Sequence, residues 1–330
     1  MNLFYTTNDL YCAKVAASIC SVYSNNRGME TLEIYIIGQD LSQKNQARFQ
    51  ALAKSFKRRI HLIDLGDIKK YFPFDFDTQG WAPVVLARLA CDKLLPTDID
   101  RILYLDGDTI NLRSLSDLWS SDIGDNVLGG CIEATVIKER CRQLQLGPIP
   151  YINSGVLLIN LEKWRRENWG ERIIAYYRDS GGQLFAPDQD AINGALKGKI
   201  YFLPPKYNFF NCYWLYNYKF LSKQVAQGYY YSKEVFDESI KHPTIIHYLG
   251  EERPWRRGNH HPYKKQYRYY LSHTPWKDEP EDTGWEFYFI CWDIFNFVMR
   301  PFPALRQHII DSLIPAFIGW RQKQLKRNKN

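Results

Sequence analysis

"RILYLDGDTI" (residues 101–110) decides how this chain is read. The apolar run Ile102-Leu103-Tyr104-Leu105 has the length and composition of a buried strand, and it stops abruptly at two carboxylates, Asp106 and Asp108. Spacing of i, i+2 turns both side chains to one side as the chain leaves the strand. Like charges this close repel, and each raises the pKa of the other. A divalent cation held between them removes that conflict. The Asp-x-Asp pattern alone says little. It recurs at Asp75/Asp77, Asp98/Asp100 and Asp188/Asp190, and turns and helix caps favour aspartate for local reasons. Only Asp106/Asp108 directly follows a buried-strand pattern.

Working outward, residues 2–6 (NLFYT) read as a strand and Asp9 to about Tyr23 as a helix, with Asn8 or Asp9 as its cap. Strands follow at 31–38 and 59–65, with a helix from Ser42 to about Phe56 between them. An apolar helix spans 82–94, and further strands lie at 126–132 and 152–161. Strands alternating with helices predict an α/β domain with a mixed, mainly parallel sheet. Ligands of such sheets sit at the carboxyl ends of strands, which is where Asp106 and Asp108 fall. From about Pro204 aromatic residues crowd together, as in FFNCYWLYNYKF (209–220), and packing is the simplest account of them. Three helices close the chain, at about 261–272, 283–298 and 303–320. This divides it into a domain at 1–260 and a helical extension at 261–330.

Composition narrows the function classes. The chain has 330 residues, 45% hydrophobic and 15% aromatic, enough for a large core. Its seven cysteines are scattered without a CxxC pair, which suits a reducing cytosol better than a disulfide framework or a structural zinc site. The first residues lack a signal-peptide pattern, and no apolar stretch reaches the roughly 20 residues of a spanning helix. The net charge is +7, yet residues 300–330 hold seven Lys/Arg against the single acid Asp311. The body is therefore close to neutral, which opposes a general nucleic-acid-binding surface. In 305–330, Leu305, Ile309, Leu313 and Ile314 fall at helical spacing, followed by Phe317, Trp320 and five cations. That pattern suits an interfacial helix on anionic lipid, kinked at Pro315. The expected location is the cytosol, with peripheral contact to the inner face of the plasma membrane.

A third metal ligand is offered at position 247. In "HPTIIHYLG" a short apolar strand, Thr244-Ile245-Ile246, runs into His247. Two carboxylates and one imidazole suit Mn2+ or Mg2+ and leave octahedral positions for phosphate oxygens. Beyond the histidine, Gly250 permits close backbone approach, and Arg253, Arg256 and Arg257 supply cations for a diphosphate.

Taken together, "YTTNDLY" (5–11), "ARLACDKLLP" (87–96), RILYLDGDTI, "YINSGVLLINLEKWR" (151–165), "PDQDAING" (187–194) and "HYLGEERPW" (247–255) resemble, in order, the retaining glycosyltransferases of family 8. That family includes bacterial lipopolysaccharide galactosyl- and glucosyltransferases and glycogenin. The resemblance covers about residues 2–260. It implies a GT-A fold, a Rossmann-like domain that binds a UDP-sugar through manganese. It implies Asp106, Asp108 and His247 as metal ligands, and Asn8 and Tyr11 at the uracil and ribose. Gly107, Gly250 and Arg253 would line the diphosphate, with arginine standing where many members have the lysine of a KPW motif. Arg88, Asn153, Asp188 and Gln189 match the positions that hold the donor hexose. The residues agree with this. Arg88 is the one cation on an apolar face, and Asp188 is a suitable partner for it.

The implied reaction moves galactose or glucose from UDP-galactose or UDP-glucose to a hydroxyl of a glycan, glycolipid or glycoprotein, with retention at the anomeric carbon. Gln189 occupies the place of a nucleophile but is a poor one, and Asp190 is the nearest charged alternative. Attack from the face the phosphate leaves is therefore favoured, with the phosphate taking the acceptor proton. Two other readings compete. Haloacid-dehalogenase-type phosphotransferases continue Asp-x-Asp-Gly-Thr, whereas here the order is Asp106-Gly107-Asp108-Thr109-Ile110. A lipid-associated scaffold without catalysis would have no need of the intact Asp106/Asp108/His247 set.

Overall fold

The computed structural model describes residues 1–225 and 229–327. Among the described residues nine strands form: β1 Asn2–Asn8, β2 Glu33–Gln39, β3 Arg59–Asp64, β4 Arg101–Leu105, β5 Thr109–Asn111, β6 Leu128–Ile132, β7 Ile152–Asn160, β8 Ile200–Phe202 and β9 Ile245–His247. Seven of them make one sheet in the order β3-β2-β1-β4-β7-β6-β8. β1, β2, β3 and β4 run parallel, while β7 is antiparallel to both β4 and β6. The mixed, mainly parallel sheet expected from the sequence is present.

Both faces of the sheet are covered, which explains the continuous apolar runs. Leu3, Tyr5, Leu103 and Leu105 point into one core with helix Cys12–Asn25, and Phe4, Ile102 and Tyr104 into the other with Trp169–Asp179 and Pro187–Ala195. Strand order reverses at β1, whose chain continues to β2 on one side while β4 pairs on the other. The ends of β1, β4 and β6 and the start of β7 meet at one edge of the sheet, where the crevice of a doubly wound fold opens. A register shift between Gly129 and Cys131 re-aims the end of β6 there.

Some elements differ from expectation. Residues 82–94 are not one α-helix: Pro83–Ala90 winds as a 3-10 helix, and only Cys91–Leu94 is α-helical. The tighter winding brings Arg88 Nε to the carbonyl of Val85, 3.0 Å away. Neither Asn8 nor Asp9 caps the first helix. Asp9 instead accepts from the Ser42 backbone N–H and the Asn45 side chain, each at 2.8 Å, and so ties two helices together. The C-terminal helices are Lys264–Ser272, Glu286–Met299 and Pro303–Arg327. The first starts later than expected because Asn259 and His261 accept the backbone N–H groups of His261 and Tyr263, making a turn there. Its Tyr267, Tyr270 and Leu271 share the core of the main body. The last helix runs unbroken through Pro315. Lys329 and the side chains of Phe317, Trp320 and the other tail cations lie outside the described residues. Among the described residues no helix is long and apolar enough to cross a membrane.

Candidate active site

Histidine 247 reaches the acids through strand pairing. β5 begins one residue after Asp108 and pairs antiparallel with β9, matching Thr109 with His247. The Tyr248 N–H donates to the Asp108 carbonyl at 3.0 Å. β5 is fixed in turn by Ser21, whose hydroxyl accepts the Asn111 N–H at 2.8 Å.

The three ligand atoms lie within 4.8 Å of one another. Each carboxylate divides its two oxygens in the same way. Asp106 Oδ1 takes Arg88 Nη2 at 2.9 Å and the Tyr104 hydroxyl, while Oδ2 faces His247 Nε2 at 3.8 Å. Asp108 Oδ2 takes Arg253, while Oδ1 faces the same Nε2 at 3.3 Å. Two guanidinium groups thus offset part of the repulsion between the acids, and one oxygen of each stays turned to a shared point. Burial opposes ionisation of Asp108, but Arg253 and His247 beside it hold its carboxyl well below the usual range. The expected ligand set is brought together, and its oxygen and imidazole donors fit Mn2+ or Mg2+.

A relay of amides orients the imidazole. Glu133 Oε2 accepts from Asn153 Nδ2 at 2.9 Å and from Gln189 Nε2 at 3.1 Å. Asn153 Oδ1 then accepts from the Gly155 N–H at 2.9 Å and from Asn208 Nδ2 at 2.8 Å. Asn208 is left with its carbonyl oxygen toward His247 Nδ1, 2.9 Å away, so Nδ1 donates to it and Nε2 is the nitrogen turned to the acids. Sequence reading missed Glu133, Asn208 and Gly155. Asn208→Ala is expected to weaken Mn2+ binding by roughly 10- to 100-fold, measured by electron paramagnetic resonance without any donor.

The loops after β1 and β9 bring up the other expected residues. Asn8 Oδ1 is buried and makes no hydrogen bond among the described residues, an acceptor available to a ligand N–H. Tyr11 packs edge-on against Trp255 at 5.8 Å, and its hydroxyl accepts from Arg253 Nη1 at 2.9 Å. Gly250 has φ +72°, which disfavours any side chain, and its carbonyl accepts Arg253 Nε at 2.7 Å. A Cβ on Gly107 would meet Val15 Cγ2 at 2.6 Å, so packing against the first helix accounts for that glycine. Arg256 and Arg257 each lie beside an acid of their own. Arg256 pairs with Glu251 and lies 3.5 Å from the Trp285 ring centroid, and Arg257 lies beside Glu286.

On the other side, Arg88 is 4% exposed and bridges Asp106 to Asp188, 3.2 Å from the latter. Gln189 accepts the Ser154 N–H at 2.9 Å and donates to the Tyr151 hydroxyl at 2.9 Å. Asp190 is 1% exposed. Its Oδ1 takes Arg140 Nε at 2.5 Å and the Tyr151 hydroxyl at 2.8 Å, and its Oδ2 takes the Ala186 N–H at 3.0 Å. From inside its helix Asp190 therefore accepts the N–H of Ala186, the residue at the helix start, as the acid of a capping box does. Asp190→Asn strips Arg140 of its buried counter-charge and should cost about 3–5 kcal/mol of stability, measured by denaturant unfolding.

The model for glycosyl transferase family 8 matches residues 2–259. The chain belongs to glycosyl transferase family 8. Its match to the lipopolysaccharide 1,2-glucosyltransferase of Escherichia coli K12 is 30% identical and covers 86% of this chain and 81% of that protein. General stress protein A of Bacillus subtilis is 25% identical over 84% of this chain and 94% of its own length. Among solved structures, galactosyltransferase LgtC with donor and acceptor sugar analogues superposes with a TM-score of 0.71. That match has 23% identity and covers 83% of this chain and 96% of LgtC. The architecture is the GT-A fold of this family of enzymes, and the phosphotransferase alternative falls with that assignment.

Proposed function

We propose that this family 8 enzyme transfers a hexose, galactose or glucose, from a UDP-sugar to a hydroxyl of a bacterial surface glycan, keeping the anomeric configuration. The observation that carries the reading is the convergence of Asp106 Oδ2, Asp108 Oδ1 and His247 Nε2 within 4.8 Å. Those atoms would hold Mn2+, or Mg2+ in its place. When bound, the ion supplies positive charge for the departing diphosphate. Arg253, held by Gly250 and Tyr11, adds its charge at the same end of the donor. Asn8 and Tyr11 receive the nucleoside. Arg88 and Asp188, with Asn153 and Gln189, orient the hexose at the other end.

The acceptor hydroxyl attacks from the face the diphosphate leaves, and a phosphate oxygen takes its proton. Support for this over a double displacement comes from the side chains that would have to act as nucleophiles. The Gln189 amide is engaged by Ser154, Glu133 and Tyr151, and both oxygens of Asp190 are engaged below the site. The name of the Escherichia coli relative points to a lipopolysaccharide-type acceptor. The domain at 1–260 would carry the chemistry, and the extension at 261–330, with its basic tail, would hold the enzyme at an anionic membrane facing the cytosol. A catalytically silent scaffold has no use for a relay that orients one imidazole.

A panel of UDP-sugars incubated with Mn2+ tests the reading through UDP release and the anomer of the product. EDTA-sensitive release from UDP-galactose or UDP-glucose with an α-linked product supports it. No release from any UDP-sugar overturns it, and a glycosylated Asp190 trapped in the unmodified enzyme overturns the single-step route.

A further inference from the structure

One face of helix Glu286–Met299 is left bare by the described residues. Phe287, Ile290, Ile294 and Phe297 are 55–79% exposed, and Phe302 and Leu305 continue the line at 57% and 51%. Steps of three and four residues place Phe287 to Phe297 on one side of the helix. Monomeric soluble proteins rarely show a contiguous apolar surface of this kind without a binding role. The acids of this helix are occupied elsewhere: Asp293 pairs with His260 at 2.6 Å, and Glu286 lies beside Arg257 at 3.9 Å. The opposite side is anchored. Arg306, 4% exposed, donates to Asn296 Oδ1 at 2.8 Å and to the Tyr216 hydroxyl at 2.6 Å, which locks the last two helices to each other and to the body. The bare face is therefore a fixed surface.

We propose that this face seats the protein on an anionic lipid bilayer, with Glu286–Met299 lying in the headgroup plane. Fourteen residues of helix cover about 21 Å, short of the roughly 30 Å hydrocarbon core, so the helix rests on the bilayer and does not cross it. Charge selects lipid over a second copy of the chain. The segment 321–329 holds five Lys/Arg and no acid, so two copies carry like charge and repel each other, whereas an anionic surface attracts that charge. The tail gives attraction that salt screens, and the bare face gives burial that salt does not weaken. The proposal adds a defined surface to the membrane reading above and is independent of which sugar is moved.

Cosedimentation of the full chain with vesicles of equal phosphatidylglycerol and phosphatidylcholine, at low salt and at about 1 M salt where the Debye length is about 3 Å, separates the two contributions. Wild type and the variant Lys323→Gln/Lys326→Gln/Arg327→Gln should keep binding at high salt. Ile290→Glu/Ile294→Glu and the milder Phe297→Ser should lose roughly tenfold or more of it. Both alter exposed positions, and unchanged circular dichroism and UDP-sugar hydrolysis verify their fold. High-salt binding by the glutamate variant equal to wild type overturns the proposal. So does a lipid-free dimer, seen by sedimentation velocity, that these substitutions disperse and vesicles fail to dissociate, which would make a second copy the occupant.

Discussion

Asp108→Asn is expected to lower Mn2+-dependent transfer by roughly 10³-fold in kcat/KM, about 4 kcal/mol of transition-state stabilisation, with the fold retained. Asparagine keeps the shape and one oxygen but removes the charge that an ion and a leaving diphosphate depend on. Retention of the fold follows from the rest of the local bonding. The Asp108 carbonyl, which accepts the Tyr248 N–H, belongs to the backbone and is untouched. Arg253 loses its carboxylate but keeps the Gly250 carbonyl and the Tyr11 hydroxyl, and relief of repulsion with Asp106 offsets part of that loss. Electron paramagnetic resonance should show Mn2+ released, while circular dichroism stays unchanged. Full EDTA-sensitive transfer by this variant would remove Asp108 from the ligand set.

Most of the sheet and the three candidate metal ligands were legible because they follow from local rules. Buried runs mark strands, and a charge at the end of such a run needs a reason. Among the four Asp-x-Asp pairs that rule singles out Asp106/Asp108 and passes over Asp188/Asp190, which are buried at the start of a helix, while Asp75, Asp77, Asp98 and Asp100 are exposed. Applied once more it would have found Glu133, an acid directly after β6. Glu133 lacks the second acid that makes Asp106 stand out. Asn208 had no such signal. Its role comes from a hydrogen bond to a histidine 39 positions away, and that neighbourhood exists only once Phe209 pairs beside Ile246. The 3-10 winding of Pro83–Ala90 was hidden for a similar reason, since apolar spacing over eight residues fits either helix and the bond from Arg88 to its own turn goes with the tighter one.

Gly155→Ala is the second large loss expected, and it arises from a methyl group alone. A Cβ at this position would lie 2.2 Å from His247 Cε1, 2.6 Å from Nδ1 and 3.0 Å from Asp106 Oδ2. Neither backbone can yield easily. The Gly155 carbonyl accepts the Asp106 N–H at 2.8 Å, its N–H is held by Asn153, and the His247 N–H donates to the Phe209 carbonyl at 2.9 Å. The imidazole must therefore rotate, break its bond to Asn208 and turn Nε2 away from the acids. Overpacking should cost about 1–3 kcal/mol of stability, and Mn2+ affinity together with transfer should fall by at least roughly 100-fold. Gly130→Ala separates the two effects. Its Cβ would meet Ile152 Cδ1 at 2.5 Å, the far end of a side chain that can turn aside, in the same sheet but off the ligand set. That variant should lose stability and keep its Mn2+ affinity. If Gly155→Ala binds Mn2+ as tightly as the parent protein, His247 is not held against Asp106 in the way the geometry requires, and the metal-site assignment falls with it.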